Sequence, residues 1–325
     1  MIKVGIIGGT GYVAGELIRL LLQHPETELS FVYSHSQAGK KISEVHQDLF
    51  AATEMKFTDQ VLKDTDVLFL SLGHGLSKKW LQENPVSGGT KIIDMSNDFR
   101  LNEDAQFAER TFVYGLPETN KSLISQSDSI ANPGCFATAI QLGLLPLASD
   151  HKLTGSVHIY GITGSTGAGN QFAETTHFSW RNNNISVYKP FVHQHLGEIG
   201  ETVKTLQPEF DQELNFIPVR GDFTRGIFIS LYTEIELSDE ELNKLYQGYY
   251  QHAPFTFVSA NPIHMKQVVN SNYGLVHVEK INGKALVTVA IDNLLKGAAG
   301  QAVENMNLMV GFPQDKGLSL KANYF

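Results

Sequence analysis

The chain up to about residue 130 alternates short apolar runs with segments of helical periodicity. The runs are continuous rather than alternating, which is typical of strands covered on both faces. Between the first two runs, Val13, Leu17, Leu20 and Leu21 recur at helical spacing, and Pro25 ends the predicted helix. The candidate strands are residues 3–7, 29–33, 67–72, 92–95 and 129–132. This order predicts an α/β domain with a doubly wound parallel sheet.

After about residue 150 the runs become longer, and apolar positions alternate with polar ones. Alternation is typical of an antiparallel sheet with one covered face. Ser238 and Glu241 form a capping-box pattern that opens a predicted helix ending near Tyr249. The candidate strands are residues 157–162, 228–235, 274–279 and 285–291. We expect an α+β domain with a mostly antiparallel sheet.

The length of 325 residues favours two domains with separate cores. A last predicted helix, about 296 to 310, is expected to return to the first domain, which makes the boundary discontinuous. The predicted division is therefore 1–134 with 298–325 in the α/β domain, and 135–297 in the α+β domain.

Composition and charge narrow the classes of function. A net charge of −9, without acidic or basic blocks, argues against a nucleic-acid or anionic-membrane surface. No apolar stretch approaches the ~18 residues of a membrane span, and no signal-peptide pattern precedes the first strand. A single cysteine excludes an internal disulfide framework and fits a reducing cytoplasm. It is either a passive core residue or a reactive thiol.

A glycine-rich turn lies between the first strand and the first helix, in the segment GGTGYVAG of residues 8–15. Such glycines let backbone N–H groups approach a pyrophosphate at the helix N-terminus, as in a Rossmann-type domain. A plain glycine turn of another α/β protein is the alternative. The candidate cofactor-binding residues are Gly8, Thr10, Gly11, Tyr12 and Val13.

The end of the second predicted strand bears on which dinucleotide binds. NAD sites usually place a carboxylate there, to bind the ribose 2′-hydroxyl. Ser34, Ser36 and Lys40 stand there instead, and hydroxyls with lysines suit a 2′-phosphate. NADP is therefore predicted over NAD, although an exposed polar loop would have the same composition.

Cys135 follows the last predicted strand of the first domain and begins an apolar run, residues 136–147, that is predicted to be helical. The positive end of a helix favours a thiolate. A buried structural cysteine is the alternative reading. The position between a strand end and a helix start favours a nucleophile.

Cys135 lies in the segment NPGCFATA, which resembles the active-site motif of the N-acetyl-γ-glutamyl-phosphate reductase family. The resemblance runs along nearly the whole chain and rests on the joint order of its motifs. Besides the glycine turn, these are SNDFRL at 96–101, YGLPE at 114–118, the loop 163–169, TRG at 224–226 and DNLLKGAAGQA at 292–302.

The resemblance implies a Rossmann-type domain followed by an α/β domain related to aspartate-semialdehyde dehydrogenase. It also implies NADPH-dependent reduction of an acyl phosphate through a thioester on Cys135. His195 is then the acid/base, oriented by Glu198 with His193 close by, although either histidine fits the role on spacing alone. Asn293 resembles the residue that binds the nicotinamide carboxamide.

Candidate substrate ligands are mainly cationic, because arginine pairs well with phosphate and carboxylate. Arg100 is the candidate for the phosphate, Arg225 for the α-carboxylate, and Arg220 is a weaker candidate. Structural ion pairs are the alternative for each arginine. The polar groups assigned with them are Asn132 and Ser165, and Gly167 is expected to approach the nicotinamide or the thioester.

Two segments depart from the family pattern. Phe136 and Ala137 replace the family's Tyr-Pro after the cysteine, and residues 193–198, HQHLGE, replace its His-Arg-His-x-Pro-Glu. An arginine suited to an anion is thereby absent. These differences leave the reaction type unchanged and leave the acyl group open, N-acetyl or another such as N-succinyl.

Related acyl-phosphate reductases are the runner-up: aspartate-semialdehyde dehydrogenase, or the carrier-protein-linked aminoadipyl-phosphate reductase. A dinucleotide-sensing protein is the non-enzyme alternative, which has no need of Cys135, His195 and Arg225 together. His193, His195 and Glu198 have the residue types of metal ligands, but zinc needs further ligands, and no metal is expected. The family pattern implies a dimer or tetramer, and the partner expected is a small molecule.

Overall fold

The computed structural model describes residues 1–325 and divides the chain into two compact units. The first unit consists of Met1–Pro133 and Ala298–Ser319, and the second of Gly134–Gly297 and Leu320–Phe325. Leu320–Phe325 lie with the second unit, whereas the sequence pattern predicts that the whole of 298–325 belongs to the first. The cause is local pairing, since the amide of Asn323 donates to the carbonyl of Val269 at 2.9 Å.

The chain forms fifteen strands and nine α-helices. Strands β1 to β15 are, in order, Ile2–Ile7, Thr27–Tyr33, Val67–Leu70, Lys91–Asp94, Gln106–Phe107, Arg110–Thr111, Val113–Tyr114, Ser129–Ala131, Val157–Thr163, Ser186–Val187, Leu214–Arg220, Ile227–Glu234, Thr256–Val258, Gly274–Ile281 and Lys284–Ile291. Helices α1 to α9 are Tyr12–Gln23, Ile42–Val45, Leu76–Glu83, Pro117–Gln126, Cys135–Ser149, Phe178–Arg181, His195–Leu206, Asp239–Tyr250 and Gly300–Met309. No helix is both long enough and apolar enough to cross a membrane.

The first unit is built on a six-stranded sheet of order β2-β1-β3-β4-β8-β7, and every pair in it is parallel. The predicted doubly wound parallel sheet is thus confirmed. The pattern missed β7, because two residues are too few to show a periodicity. The fold places the ends of β1 and β2 beside the glycine turn, where parallel sheets bind their ligands.

The second unit is built on a seven-stranded sheet of order β10-β11-β9-β12-β15-β14-β13. Two of its pairs, β11 with β9 and β13 with β14, are parallel, and the other four are antiparallel. The mostly antiparallel prediction is confirmed. The pattern missed β11, which contains Pro218, because proline within a run argues against a strand.

Helix α5 forms the centre of the second core, and the thirteen residues 136–148 are all buried. Pro146 within it has no N–H to donate to the carbonyl of Leu142, four residues earlier. The hydroxyl of Tyr250 donates to that carbonyl at 2.5 Å, and Tyr246 donates to Gly143 at 2.6 Å. Helix α8 thus satisfies backbone acceptors of α5 and fixes the helix that begins at the cysteine.

Candidate active site

Cys135 is the first residue of α5, as the sequence predicts. Gly134 is the N-cap with φ −70° and ψ 149°, and no side chain caps the helix. The thiol is free of any disulfide and partly buried. The sulfur therefore lies where the N–H groups of a fifteen-residue helix favour negative charge.

His195 and Glu198 occupy the first turn of α7 and lie against the residue before the cysteine. Glu198 Oε2 accepts the amide N–H of Gly134 at 3.0 Å, and its Oε1 lies 3.9 Å from His195 Nε2. A Cβ added at Gly134 would lie 2.3 Å from His195 Nε2. Glycine is thus required for the imidazole to lie against the backbone beside Cys135.

His193 lies in an aromatic environment rather than against the carboxylate. Its ring makes edge contacts with Phe136, Tyr188 and Phe216 at centroid distances of 5.5–5.8 Å, and lies 4.6 Å from the His195 ring. Burial, reinforced by the charge of Lys189, lowers the pKa of His193 to about 4. Its Nδ1 accepts the amide of His195 at 3.3 Å. This imidazole is neutral at neutral pH and positions its neighbour.

Gly297 lies in a turn of π-helix, Leu295–Ala299, and is next to the cysteine within the second unit. The amide of Gly297 donates to the carbonyl of Asp292 at 2.9 Å, the five-residue bond of that geometry. A Cβ at Gly297 would lie 2.9 Å from the Cβ of Cys135. The sequence analysis missed this glycine as a site residue, although its segment carries the family resemblance.

The loop after β9 carries the candidates Ser165 and Gly167, and Asn293 holds it in place. The side-chain oxygen of Asn293 accepts the amide of Gly226 at 2.7 Å, and its nitrogen donates to the hydroxyl of Thr166 at 3.0 Å. The amide of Ser165 donates to the carbonyl of Phe223 at 2.9 Å. Asn293 therefore acts first on the loop, and its contact with a nicotinamide stays a prediction.

Arg225 makes a bidentate ion pair with Asp292, whose side chain is fully buried. Nε and one terminal nitrogen lie 3.1 Å from the two carboxylate oxygens. Asp292 also accepts backbone amides of Asn270, Leu294 and Leu295. The structural role that the sequence left open for Arg225 is present, and this guanidinium orders the polypeptide around Asn293.

The glycine turn of the first unit fits a dinucleotide phosphate. Gly8 has φ +87°, and a Cβ there would lie 2.5 Å from the carbonyl oxygen of Ser71. Gly11, the N-cap of α1, has open space where its Cβ would be, and no side chain caps the helix. Tyr12 and Val13 begin α1, and Thr10 precedes the cap. Uncapped N–H groups at a helix start, with open space at Gly11, suit an anion.

The segment after β2 bears the residues predicted for the 2′-phosphate. Ser34 is buried and its amide donates to Thr58 at 2.9 Å, while Ser36 and Lys40 lie in the exposed turn that follows. Lys41 pairs with Glu54 at 2.5 Å, whereas no ion pair involves Lys40. Lys40 is therefore the lysine of this pair that is available to a ligand.

Arg100 and Asn132 are both buried in the first unit and contact each other. Arg100 Nε donates to the carbonyl of Asn132 at 2.8 Å, and a terminal nitrogen donates to the carbonyl of Met95 at 3.0 Å. The side chain of Asn132 bonds Asn305 at 3.0 Å and the carbonyl of Ala298 at 3.2 Å. Asn132 thus supports the strand end that carries it, and substrate contact by either residue stays a prediction.

Two family models match this chain, one in each unit. The family model described as "Semialdehyde dehydrogenase, NAD binding domain" matches residues 3–127, and the one described as "Semialdehyde dehydrogenase, dimerisation domain" matches residues 135–293.

Similar sequences and solved structures also point to the semialdehyde dehydrogenase fold and family. The chain is 55% identical over 325 residues to an N-acetyl-gamma-glutamyl-phosphate reductase of Flavobacterium johnsoniae, and 52% identical over 326 residues to one of Bacteroides thetaiotaomicron, with both chains of each pair fully covered. Aspartate semialdehyde dehydrogenase II of Vibrio cholerae, complexed with ASA, aligns with a TM-score of 0.71 at 18% identity over 96% of this chain and 98% of its own. The Candida albicans enzyme with NADP aligns at 0.68 and 15% over 95% and 98%. At such identities these structures show the fold.

Proposed function

This chain belongs to the N-acetyl-γ-glutamyl-phosphate reductase family of semialdehyde dehydrogenases, and from that premise we propose that it reduces N-acetyl-γ-glutamyl phosphate to N-acetylglutamate 5-semialdehyde with NADPH. The observation that carries the chemistry is the arrangement at Gly134. There Glu198 and His195 lie against the backbone beside the thiol of Cys135. The reaction is a step of arginine biosynthesis, as the name of the relatives implies.

Cys135 acts as the nucleophile. Its thiolate attacks the acyl carbon, phosphate leaves with the electrons of the broken C–O bond, and a thioester to Sγ results. When bound, the reduced nicotinamide supplies the hydride that converts this thioester to the aldehyde. The N-terminus of α5 favours the thiolate both before the attack and when the thiol is released.

His195 is proposed as the proton carrier, and His193 is proposed to position it. His195 lies 3.9 Å from the buried carboxylate of Glu198, whereas burial lowers the pKa of His193 to about 4. A ring that stays neutral at neutral pH, as His193 does, is poorly suited to carry the proton. Glu198 orients the ring and also binds the amide of Gly134.

NADPH is proposed to bind the first unit. The fit rests on the open space at Gly11, on the uncapped start of α1 and on the absence of a carboxylate at Ser34 and Ser36. Lys40 would bind the 2′-phosphate. Replacing Lys40 with Gln is expected to raise KM for NADP about tenfold while leaving KM for NAD unchanged, as initial-rate assays with the two cofactors would show.

A homo-oligomer, dimer or tetramer, is proposed, because the second unit leaves one sheet face open. Tyr160 and Tyr232, on the neighbouring strands β9 and β12, are each 41% exposed, and His158 stacks on Tyr232 at 4.9 Å. Exposed aromatic faces of this kind are typical of subunit contacts. Light scattering on the purified chain tests this proposal. The cytoplasm is proposed because the chain has a single cysteine and therefore no internal disulfide.

The decisive test runs the reaction backwards from N-acetylglutamate semialdehyde, phosphate and NADP, and follows the absorbance of NADPH. The N-succinyl analogue and aspartate semialdehyde serve as competing substrates. Phosphate-dependent NADPH formation by the wild type, and none by Cys135→Ser, is expected. Turnover of aspartate semialdehyde alone would refute the proposed glutamyl substrate but would agree with the proposed thioester mechanism. A wild type that binds NADP and oxidises none of the three semialdehydes would refute the catalytic role of Cys135 and His195.

A further inference from the structure

Two arginines of the second unit lie together, and neither has a carboxylate within ion-pair distance. Arg181, the last residue of α6, is buried, and Arg220, the last residue of β11, is half-buried. Arg181 donates to the carbonyl of Arg220 at 3.3 Å and to the carbonyl of Thr175 at 3.1 Å. Arg220 donates to the hydroxyl of Thr175 at 3.2 Å. One threonine thus holds both guanidinium groups in place.

The charges of this pair are poorly compensated by the protein. The acid that acts on Arg181 is Asp222, whose carboxylate accepts the amide of Asn183 at 2.7 Å rather than a guanidinium. Burial, followed by the charge of Arg220, lowers the pKa of Arg181. The side-chain groups that Arg220 bonds are the hydroxyls of Thr175 and Tyr188, which leaves several of the five N–H groups of its guanidinium for a ligand. Like charges held together with N–H groups to spare are suited to an anion.

The pair is connected to the catalytic residues through one aromatic ring. The guanidinium of Arg220 lies 4.7 Å from the ring centre of Tyr188, and that ring lies 5.7 Å from the ring of His193. Burial, with the charge of Cys135, raises the pKa of Tyr188, so the phenol lies within electrostatic reach of the thiol. Arg220 is also the register partner of Thr163 on β9, just before the loop with Ser165. Arg220 therefore lies at the strand ends that carry the chemistry.

Two further observations favour a ligand for this pair. Arg225, the sequence candidate for the α-carboxylate, is already bidentate to Asp292. The family's arginine between the two histidines is Gln194 here, and its side chain accepts from Lys189 at 3.3 Å. Of the two other positions in the second unit that could offer a guanidinium to a substrate carboxylate, Arg225 is already paired and position 194 carries no arginine.

We propose that Arg181 and Arg220 form a carboxylate-binding subsite for the acyl-phosphate substrate. The inference rests on the proposed function, since it assigns the pair to that substrate. The carboxylate is the α-carboxylate of the glutamyl group or a second one carried by the acyl group. Arg220 makes the direct contact, because it is the more exposed of the two, and Arg181 holds the backbone of Arg220 through its carbonyl.

The test compares Arg220→Gln and Arg220→Lys with Lys204→Gln, a charge-matched control on an exposed position of α7. Reverse initial rates are measured with N-acetylglutamate semialdehyde, its α-carboxamide and the N-succinyl analogue. For a substrate whose carboxylate the subsite binds, Arg220→Gln is expected to raise KM about tenfold to a hundredfold. Its kcat should stay within about threefold of the wild-type value. Arg220→Lys should recover part of the loss, and Lys204→Gln should match the wild type.

The three substrates distinguish the source of the carboxylate. A penalty that disappears with the α-carboxamide assigns the subsite to the α-carboxylate. A penalty seen only with the N-succinyl compound assigns it to the acyl group. Equal KM values for the wild type and Arg220→Gln with all three compounds would overturn the proposal while leaving the proposed function in place.

A binding arm separates this proposal from failure of the proposed function. Calorimetric titration of N-acetylglutamate and N-succinylglutamate into the wild type and Arg220→Gln requires no turnover. A Kd at least tenfold weaker for the variant supports the subsite even if no semialdehyde is turned over. Equal affinities, with unchanged thermal melting temperatures, would refute it.

Discussion

Replacing Gly134 with Ala tests the placement of His195 directly. The backbone at φ −70° and ψ 149° accepts alanine without strain. The added Cβ would lie 2.3, 2.6 and 2.7 Å from three atoms of the His195 ring. Ordinary contact begins near 3.4 Å, so the ring must retreat by roughly 1 Å. A misplacement of this size in a catalytic group costs about a hundredfold in rate, or about 2.7 kcal/mol.

The effect on folding should be much smaller than the effect on the rate. Alanine at a compatible backbone position stabilises by about 0.4–1 kcal/mol, and overpacking costs about 1–3 kcal/mol. A net loss of about 2 kcal/mol or less is expected, with kcat lowered about a hundredfold in the phosphate-dependent assay. The amide of Gly134 keeps its bond to Glu198, so the helix start is retained.

Gly200→Ala is the matched control, because Gly200 lies in α7 with His195 and a Cβ there meets nothing within 4 Å. It should leave kcat unchanged and add up to about 1 kcal/mol of stability. A Gly134→Ala enzyme with kcat within threefold of the wild type would show that His195 is not the proton carrier at this position.

Three further predictions concern stability. Arg225→Met leaves the buried Asp292 carboxylate without its ion partner and should cost about 2–4 kcal/mol, of which Arg225→Met with Asp292→Asn recovers part. Burial raises the pKa of Asp94 to about 6. The free energy of unfolding is therefore expected to fall by about 3 kcal/mol as pH rises from about 4 to 6, and Asp94→Asn should remove this pH dependence. The pKa of His193 is lowered to about 4, which has the opposite pH dependence. The free energy of unfolding is expected to fall by about 3 kcal/mol as pH falls from about 6.5 to 4, and His193→Leu should remove this loss.

These changes are measurable in each unit separately, because the chain has two tryptophans, Trp80 in the first unit and Trp180 in the second. Urea unfolding followed by fluorescence of Trp80→Phe reports the second unit, and Trp180→Phe reports the first. A cost below about 0.5 kcal/mol for Arg225→Met would contradict a structural ion pair. A pH slope unchanged by Asp94→Asn or by His193→Leu would contradict the corresponding pKa assignment.

Much of the fold was predictable from sequence because it depends on local signals. Continuous apolar runs predicted five parallel strands, and the Ser238 capping box predicted α8, where Ser238 Oγ accepts the amide of Glu241. Weak local signals were missed. Strand β7 has two residues, and β11 contains Pro218 and depends on parallel pairing with β9, more than fifty residues away.

The sequence by itself determined the family, the glycine turn and the position of Cys135 at a helix start, since each depends on residues adjacent in the chain. The cysteine begins a helix because Gly134 caps an apolar run, and this is readable from neighbouring positions. Tertiary structure alone decided which groups meet across long separations. It brought the carboxylate of Glu198 to the amide of Gly134, 64 residues away in the chain. It also paired Arg225 with Asp292, and it left N–H groups of Arg220 without a carboxylate partner. Electrostatic pairing and burial act through space, so no spacing pattern along the chain could have distinguished these roles.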